Sequence, residues 1–433
     1  MIKKLFLFIF ILLNFAAYAD IVSSQTESSD DFSSISSNPA AVNVTAGNGN
    51  LQSFLFKKMH IKNDHGIRFT GAWLGDTNAL MSGGIPNAQT WTSDSLFLFD
   101  VTLNTEKLGA WRGGLFGTQI LQFNGDPVNE QAGTVQGYNS LPGAPPLNRF
   151  ELYQLWYRQA LFNDKLFLRV GKTVPVFQFD NVIKPVPLNE NKIEIPAVSG
   201  LIFTPLFVNP TMYGVMPGYY NSAYGATVNY VPIKNWYASY GIYEGDLAQG
   251  VQTGLTGMNF NGTYFNIGET GVEWMLGKNN LPGRTGIGLW DQDGLIQINN
   301  LSANNATGFY LFGSQRLWYQ DPGDNDRGIS MFYQFGSNNS NVMSITRYIG
   351  GGLTFFGLMP HRVMDSMGLG AALSWLNQNV YTQNTELMFQ AYYQLHIAKG
   401  FFVEPALSYI PHPAAGINID PTWAGTLRAV VLF

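Results

Sequence analysis

The chain has 433 residues, a formal net charge of −5, only 12% charged residues and no cysteine. That charge fraction is about half the ~25% usual for soluble domains, too little to solvate a soluble surface of this size. The missing cysteines exclude disulfides and thiolate metal sites, and the mild acidity disfavours nucleic acid and, more weakly, an anion-selective pore.

The first nineteen residues read as a secretory signal peptide: Lys3 and Lys4, an apolar run from Leu5 to Ala17, and the A-x-A site Ala17-Tyr18-Ala19. The run is too short to span ~30 Å of hydrocarbon as a helix, and no later stretch is apolar for ~18 residues. Residues 20–64 form a flexible polar arm and lead-in, rich in Ser, Asn, Asp and Thr up to about Gly49.

From about residue 65 the chain becomes short alternating segments broken by Gly, Asn, Asp and Pro clusters. Phe97, Phe99, Val101 and Leu103 alternate with Asp100, Thr102 and Asn104. The same period of two runs through Trp236–Ile242, Leu387–Leu395 and Phe401–Tyr409. Residues 65–433 thus read as an all-β, transmembrane antiparallel β-barrel of about 16 strands, an even number being usual in bacteria. Segments 113–123 and 199–207 do not declare themselves. Gly350 to Gly352 suggests a bend or bulge. Trp73, Trp111, Trp236, Trp318 and Trp423 are placed at strand ends, as an interfacial girdle requires.

Two connections exceed the ~12–15 residues of an ordinary loop, Gly125–Asn148 and about Phe177–Ala197. Both are expected to fold partly into the lumen. The last strand has one apolar face (Trp423, Gly425, Leu427, Ala429, Val431), carries Thr426 and Arg428 on the other, and ends on Phe433. It resembles the terminal strand of bacterial outer-membrane barrels, which the barrel-assembly machinery reads.

Three segments in order resemble the carbohydrate-selective porin family (OprB type). They are DVTLNTEKLGAWRGG (100–114), LYQLWYRQALFNDKLFLRVGK (152–172) and YGATVNYVPIKNWYASYGIYEGD (224–246). The resemblance covers roughly residues 65–433. It implies a 16-stranded barrel in the bacterial outer membrane that admits sugars by passive diffusion. Family members usually carry Asp where Asn104 stands, which alters local charge and not the fold.

A neutral sugar must be selected by pore width, by polar groups that match hydroxyls and by flat rings. A charge on the lipid face costs ~2–4 kcal/mol for Lys or Arg at the midplane, so strand-borne charges default to the lumen. Asp100, Arg158, Arg169, Lys172, Asp180, Glu269, Glu273, Arg316, Glu386 and Glu404 qualify. Of these, Arg169, Asp180 and Glu269 are placed near the narrowest part, with Phe177 or Phe179 as a stacking ring. Asp100, Arg158, Glu273 and Arg316 complete the expected substrate-binding lining. Five histidines lack ligand spacing, and no nucleophile elbow or phosphate loop occurs, so no metal, cofactor or catalytic role is expected. The expected partners are sugars, outer-membrane lipid and the assembly machinery. A general porin, a barrel enzyme and an adhesin are the competing readings, and monomer and homo-oligomer are equally compatible with the sequence.

Overall fold

A computed structural model describes residues 66–143, 146–182, 200–217, 221–246, 254–298, 300–322, 324–398 and 400–432. The expected signal peptide, the polar arm, Phe433 and part of the second long connection (183–199) lie outside these residues.

Sixteen strands follow one another: β1 (Ile67–Ser82), β2 (Trp91–Asn104), β3 (Gly114–Asn124), β4 (Arg149–Leu161), β5 (Leu166–Thr173), β6 (Ala223–Ile233), β7 (Trp236–Glu244) and β8 (Tyr264–Leu276), then β9 (Leu281–Ile298), β10 (Leu301–Asp321), β11 (Asp324–Asn338), β12 (Ile345–Phe356), β13 (Ser366–Leu376), β14 (Thr385–Ala398), β15 (Phe401–Ile410) and β16 (Thr422–Leu432). Each pairs antiparallel with its sequence neighbours, and β1 pairs with β16 (Ala72 opposite Leu432, Asn78 opposite Thr426), so the sheet closes into a barrel. Closure leaves no open edge, the condition for a sheet to sit in hydrocarbon.

The alternation read from the sequence sorts the two faces. In β16 the Trp423–Val431 set faces out, while Thr422, Thr426 and Arg428 are buried inside. In β2, Asp94 and Asp100 are inside and Phe97, Phe99 and Val101 outside. The outer face carries exposed large apolar side chains such as Leu155, Val170, Leu289, Phe389 and Leu427, ready for lipid.

Short turns join strands at one end. Asn163 and Asp164, with Phe162, take positive φ between β4 and β5, a conformation Asn and Asp tolerate. Lys234 and Asn235 form a two-residue turn that places Ile233 opposite Trp236. The long connections emerge at the other end.

Two open segments resolve, and two expectations need correction. Segment 113–123 is β3, but 199–207 is not a strand; its described part lies within the long β5–β6 connection and carries a 3-10 turn at Thr204–Leu206. Gly350 to Gly352 makes no bulge, because β12 keeps continuous register with β11 and β13 there. Gly350 is small for another reason: a Cβ would lie 2.0 Å from the hydroxyl of Tyr348. Trp73 stands well inside β1, while Trp236 and Trp423 sit near strand ends and Trp111 in the β2–β3 turn.

Candidate functional site: a lumen narrowed by two inward loops

The first long connection, between β3 and β4, has a single helical turn (Val128–Gln131) and then runs inside the barrel, where Gln136, Tyr138, Asn139, Ser140 and Leu141 are all buried. A buried segment must find partners for its backbone and amide groups. On one side they come from Glu386 of β14. Its carboxylate accepts from the Thr134 hydroxyl (2.7 Å), from the backbone N–H of Val135 (3.0 Å) and Gln136 (3.0 Å), and from Ala414 N–H in the β15–β16 connection (2.9 Å). On the other side they come from the seam. Asn139 Nδ2 donates to Asp76 (2.8 Å) and Asn78 (2.9 Å) of β1, and Arg428 of β16 donates to Asn139 Oδ1 (3.1 Å). Arg428 also holds Asp76 in a bidentate pair, at 2.8 and 2.7 Å.

The second connection, from Val174 to Ser222, is also mostly buried where described. Gln390 of β14 accepts the N–H of Ile202 (2.6 Å) and Phe203 (3.1 Å). Glu269 of β8 accepts from the Tyr237 hydroxyl (2.8 Å), the Tyr310 hydroxyl (2.7 Å) and Asp180 N–H (2.7 Å). Arg284 of β9 donates to the Asn181 carbonyl (2.6 Å). Both loops are thus fastened to β14, the first also to the β1–β16 seam and the second also to β8 and β9.

The sequence-selected residues fall into three groups. Asp180 and Glu269 come together and fasten the second loop. Burial first, and the neighbouring Glu269 second, push the Asp180 carboxyl well above the usual carboxylate range. Arg158 and Arg169 are also brought together, directly opposite in the β4–β5 register. Each lies against a ring: Arg169 sits 4.3 Å from the Trp156 ring centroid and Arg158 5.2 Å from that of Phe167. Among the described residues, Arg169 has no hydrogen-bond acceptor for its guanidinium. Glu273 lies opposite Arg284, and Arg316 packs on Tyr319 (4.7 Å) and Phe356 (5.3 Å). The third group stands elsewhere. Asp100 accepts from Gln119 (2.7 Å) on the β2–β3 wall, and Glu404 from Gln394 (2.6 Å) on the β14–β15 wall.

Two assignments are revised. Phe179 is fully enclosed and presents no face to a solute; Phe177 keeps part of its surface, so of the two it is the ring that can stack. Lys172 shares the parity of Leu168 and Val170, the lipid-facing side of β5, and is not a lumen residue by register. Sequence reading missed Arg284, the rings Trp156 and Phe312, and the anchors Asp76, Asn139 and Gln390. The inward parity of Arg284 was readable; the contacts of Asn139 were not, since they join positions 61, 63 and 289 residues apart.

A closed barrel of sixteen strands, with polar groups inside, lipid-ready side chains outside and its own loops drawn into the lumen, is an outer-membrane pore former. The family model for the carbohydrate-selective porin, OprB family, matches residues 88–433. Porin B of Pseudomonas aeruginosa is 22% identical over 429 aligned residues, covering 86% of this chain and 88% of that protein. The high-pH structure of Pseudomonas putida OprB superposes with a TM-score of 0.71 at 19% identity, over 88% of this chain and 97% of that one; its low-pH structure gives 0.56 at 16%. The chain belongs to the carbohydrate-selective porin, OprB family, and is a channel protein of the bacterial outer membrane.

Proposed function

We propose that monosaccharides and small oligosaccharides cross this barrel passively, through the passage left between the two inward loops and the β4–β10 wall. The observation that carries the reading is Arg169: a guanidinium 4.3 Å from the Trp156 ring centroid, on the lumen parity of β5, with no hydrogen-bond acceptor among the described residues. A planar fork of donors beside rings suits a sugar, whose hydroxyls take the fork and whose apolar face takes a ring. Arg158, Asp100 and Glu273 supply further hydroxyl partners, and Phe177 a stacking face; Arg316, as fully enclosed as Phe179, braces the wall instead. Asp180 and Glu269 act differently, holding the loop that sets the width. Weak, exchangeable hydrogen bonds give selection without trapping, which transport demands. The apolar outer face of β16 and its closing pair with β1 support its reading as the strand taken up by the barrel-assembly machinery.

The test is single-channel conductance of refolded protein in a planar bilayer, with glucose and longer maltooligosaccharides titrated at fixed salt. The expected result is saturable block of the ion current, weakened about tenfold by Arg169→Ala, the equivalent of ~1.4 kcal/mol and the low end for a charge-assisted hydrogen bond. Open pores indifferent to sugar would make this a general porin; folded protein without conductance would exclude a channel.

A further inference from the structure

The barrel wall is uneven. β5 has 8 residues and β7 has 9, against 18 in β9 and 21 in β10. At ~3.3 Å per residue and ~40° tilt, β5 stands about 20 Å tall, short of the ~25 Å apolar band of an outer-membrane barrel. Over this low stretch lies the described part of the β7–β8 connection, residues 254–263. Gly254 straddles the rim. Its N–H donates to Glu151 of the lumen parity (3.0 Å), while its carbonyl accepts from Lys172 of the lipid parity (2.6 Å). Lys172 also donates to the Leu152 carbonyl (2.8 Å), so its ammonium is capped by backbone oxygens. Tyr224 of β6, opposite Lys172 in register, donates its hydroxyl to the Thr256 carbonyl (3.0 Å). Phe260 stacks on Tyr264, an outward residue of β8, at 6.3 Å between centroids. The segment therefore runs along the outside of the wall. A loop above a membrane should turn polar groups outward. This one exposes Leu255 (86%), Met258 (67%) and Phe260 (51%).

We propose that residues 254–263 form a lipid-contacting strap, whose Leu255, Met258 and Phe260 extend the apolar belt of the barrel over its lowest wall and meet the acyl chains of the surrounding membrane. Two observations choose lipid as the occupant. The patch continues the exposed apolar face of β4 to β8, which already meets lipid, and it sits where the strands fall short of the hydrocarbon. The strap also explains Lys172: a lysine on the lipid parity is tolerable because the strap's carbonyl and Leu152 cap it. None of this depends on which solute passes through the lumen.

The chain has no cysteine, so single-site spin labels are unambiguous. Met258→Cys would be labelled, reconstituted into phosphatidylcholine vesicles and assayed for collision with oxygen and with a water-soluble nickel chelate. Leu155→Cys on the wall and Ile417→Cys, exposed in the β15–β16 connection, are the lipid and water references. The expected result is the Leu155 pattern, with oxygen access high and nickel access low. The Ile417 pattern would overturn the proposal. Dipolar broadening between labels on neighbouring barrels would overturn it too, by making the strap an interface between copies. Leu255→Cys repeats the test where Met258→Cys does not refold. Sugar block of conductance, measured on the same labelled protein, separates a failure of the strap from a failure of the transport reading.

Discussion

Glu386→Ala is the sharpest perturbation of the lumen. The carboxylate sits fully buried in β14 and takes four donors: the Thr134 hydroxyl and the N–H groups of Val135, Gln136 and Ala414. Each charge-assisted hydrogen bond is worth ~1.5–3 kcal/mol, so the four sum to roughly 6 kcal/mol at the low end. Removing the carboxylate also lifts its own desolvation cost, several kcal/mol for a buried ion. The net loss to the docked loop is about 3 kcal/mol, or roughly a hundredfold in the ratio of docked to released loop. Glu386→Gln keeps one acceptor oxygen but turns an NH2 group toward N–H donors, and should fall between. Two assays read this out. Single-channel recordings should show larger or noisier conductance for Glu386→Ala. Limited chymotrypsin digestion should cut at Tyr138, which is buried while the loop is docked. Wild-type conductance together with wild-type protection of Tyr138 would refute the reasoning, because the loop would then be held by something other than Glu386.

Three further perturbations follow from the geometry. Arg428→Met leaves Asp76 buried without its bidentate partner and should cost ~3–5 kcal/mol, most of it restored by adding Asp76→Asn; the midpoint of the gel-mobility shift on heating compares the two. Asp180 is held above its ordinary pKa, so the folded state keeps a proton that the unfolded state has released; its contribution to stability falls as pH rises from the ordinary carboxylate value to the raised one. Asp180→Asn should therefore match wild type below about pH 4 and gain relative to it at higher pH, as read from thermal midpoints across pH. Gly288→Val would place a Cβ 2.1 Å from Tyr310 Cζ, drive the ring off Glu269 and lower the urea midpoint by an amount equivalent to ~1–3 kcal/mol. An unchanged midpoint would show that the Tyr310 contact is dispensable.

The barrel was legible because a period of two survives in a sequence whatever the sheet closes around. The parity of Asp100, Arg428 and Glu386 alone puts each inside, and the length of the two connections marks them as unusual. Where parity broke, reading failed. Lys172 follows Gly171, which has φ +128°, and its partner carbonyl belongs to a loop eighty-two residues further on. Segment 199–207 is apolar in composition like a strand, but its apolar groups pack against the inside of the wall as a loop. Phe177 and Phe179 look equivalent in sequence. Only the packing of the inward loop decides that one ring is enclosed and the other is not.

The hooks of the first inward loop come from both ends of the chain. Asn139 is held by Asp76 and Asn78 near the start and by Arg428 at the end, and Thr426 bonds Asn78 across the seam at 2.7 Å. Pairing β16 with β1 therefore does more than complete the wall. Sealing the cylinder and calibrating its bore are one event, since the residue that locks the plug arrives on the strand that shuts the gate.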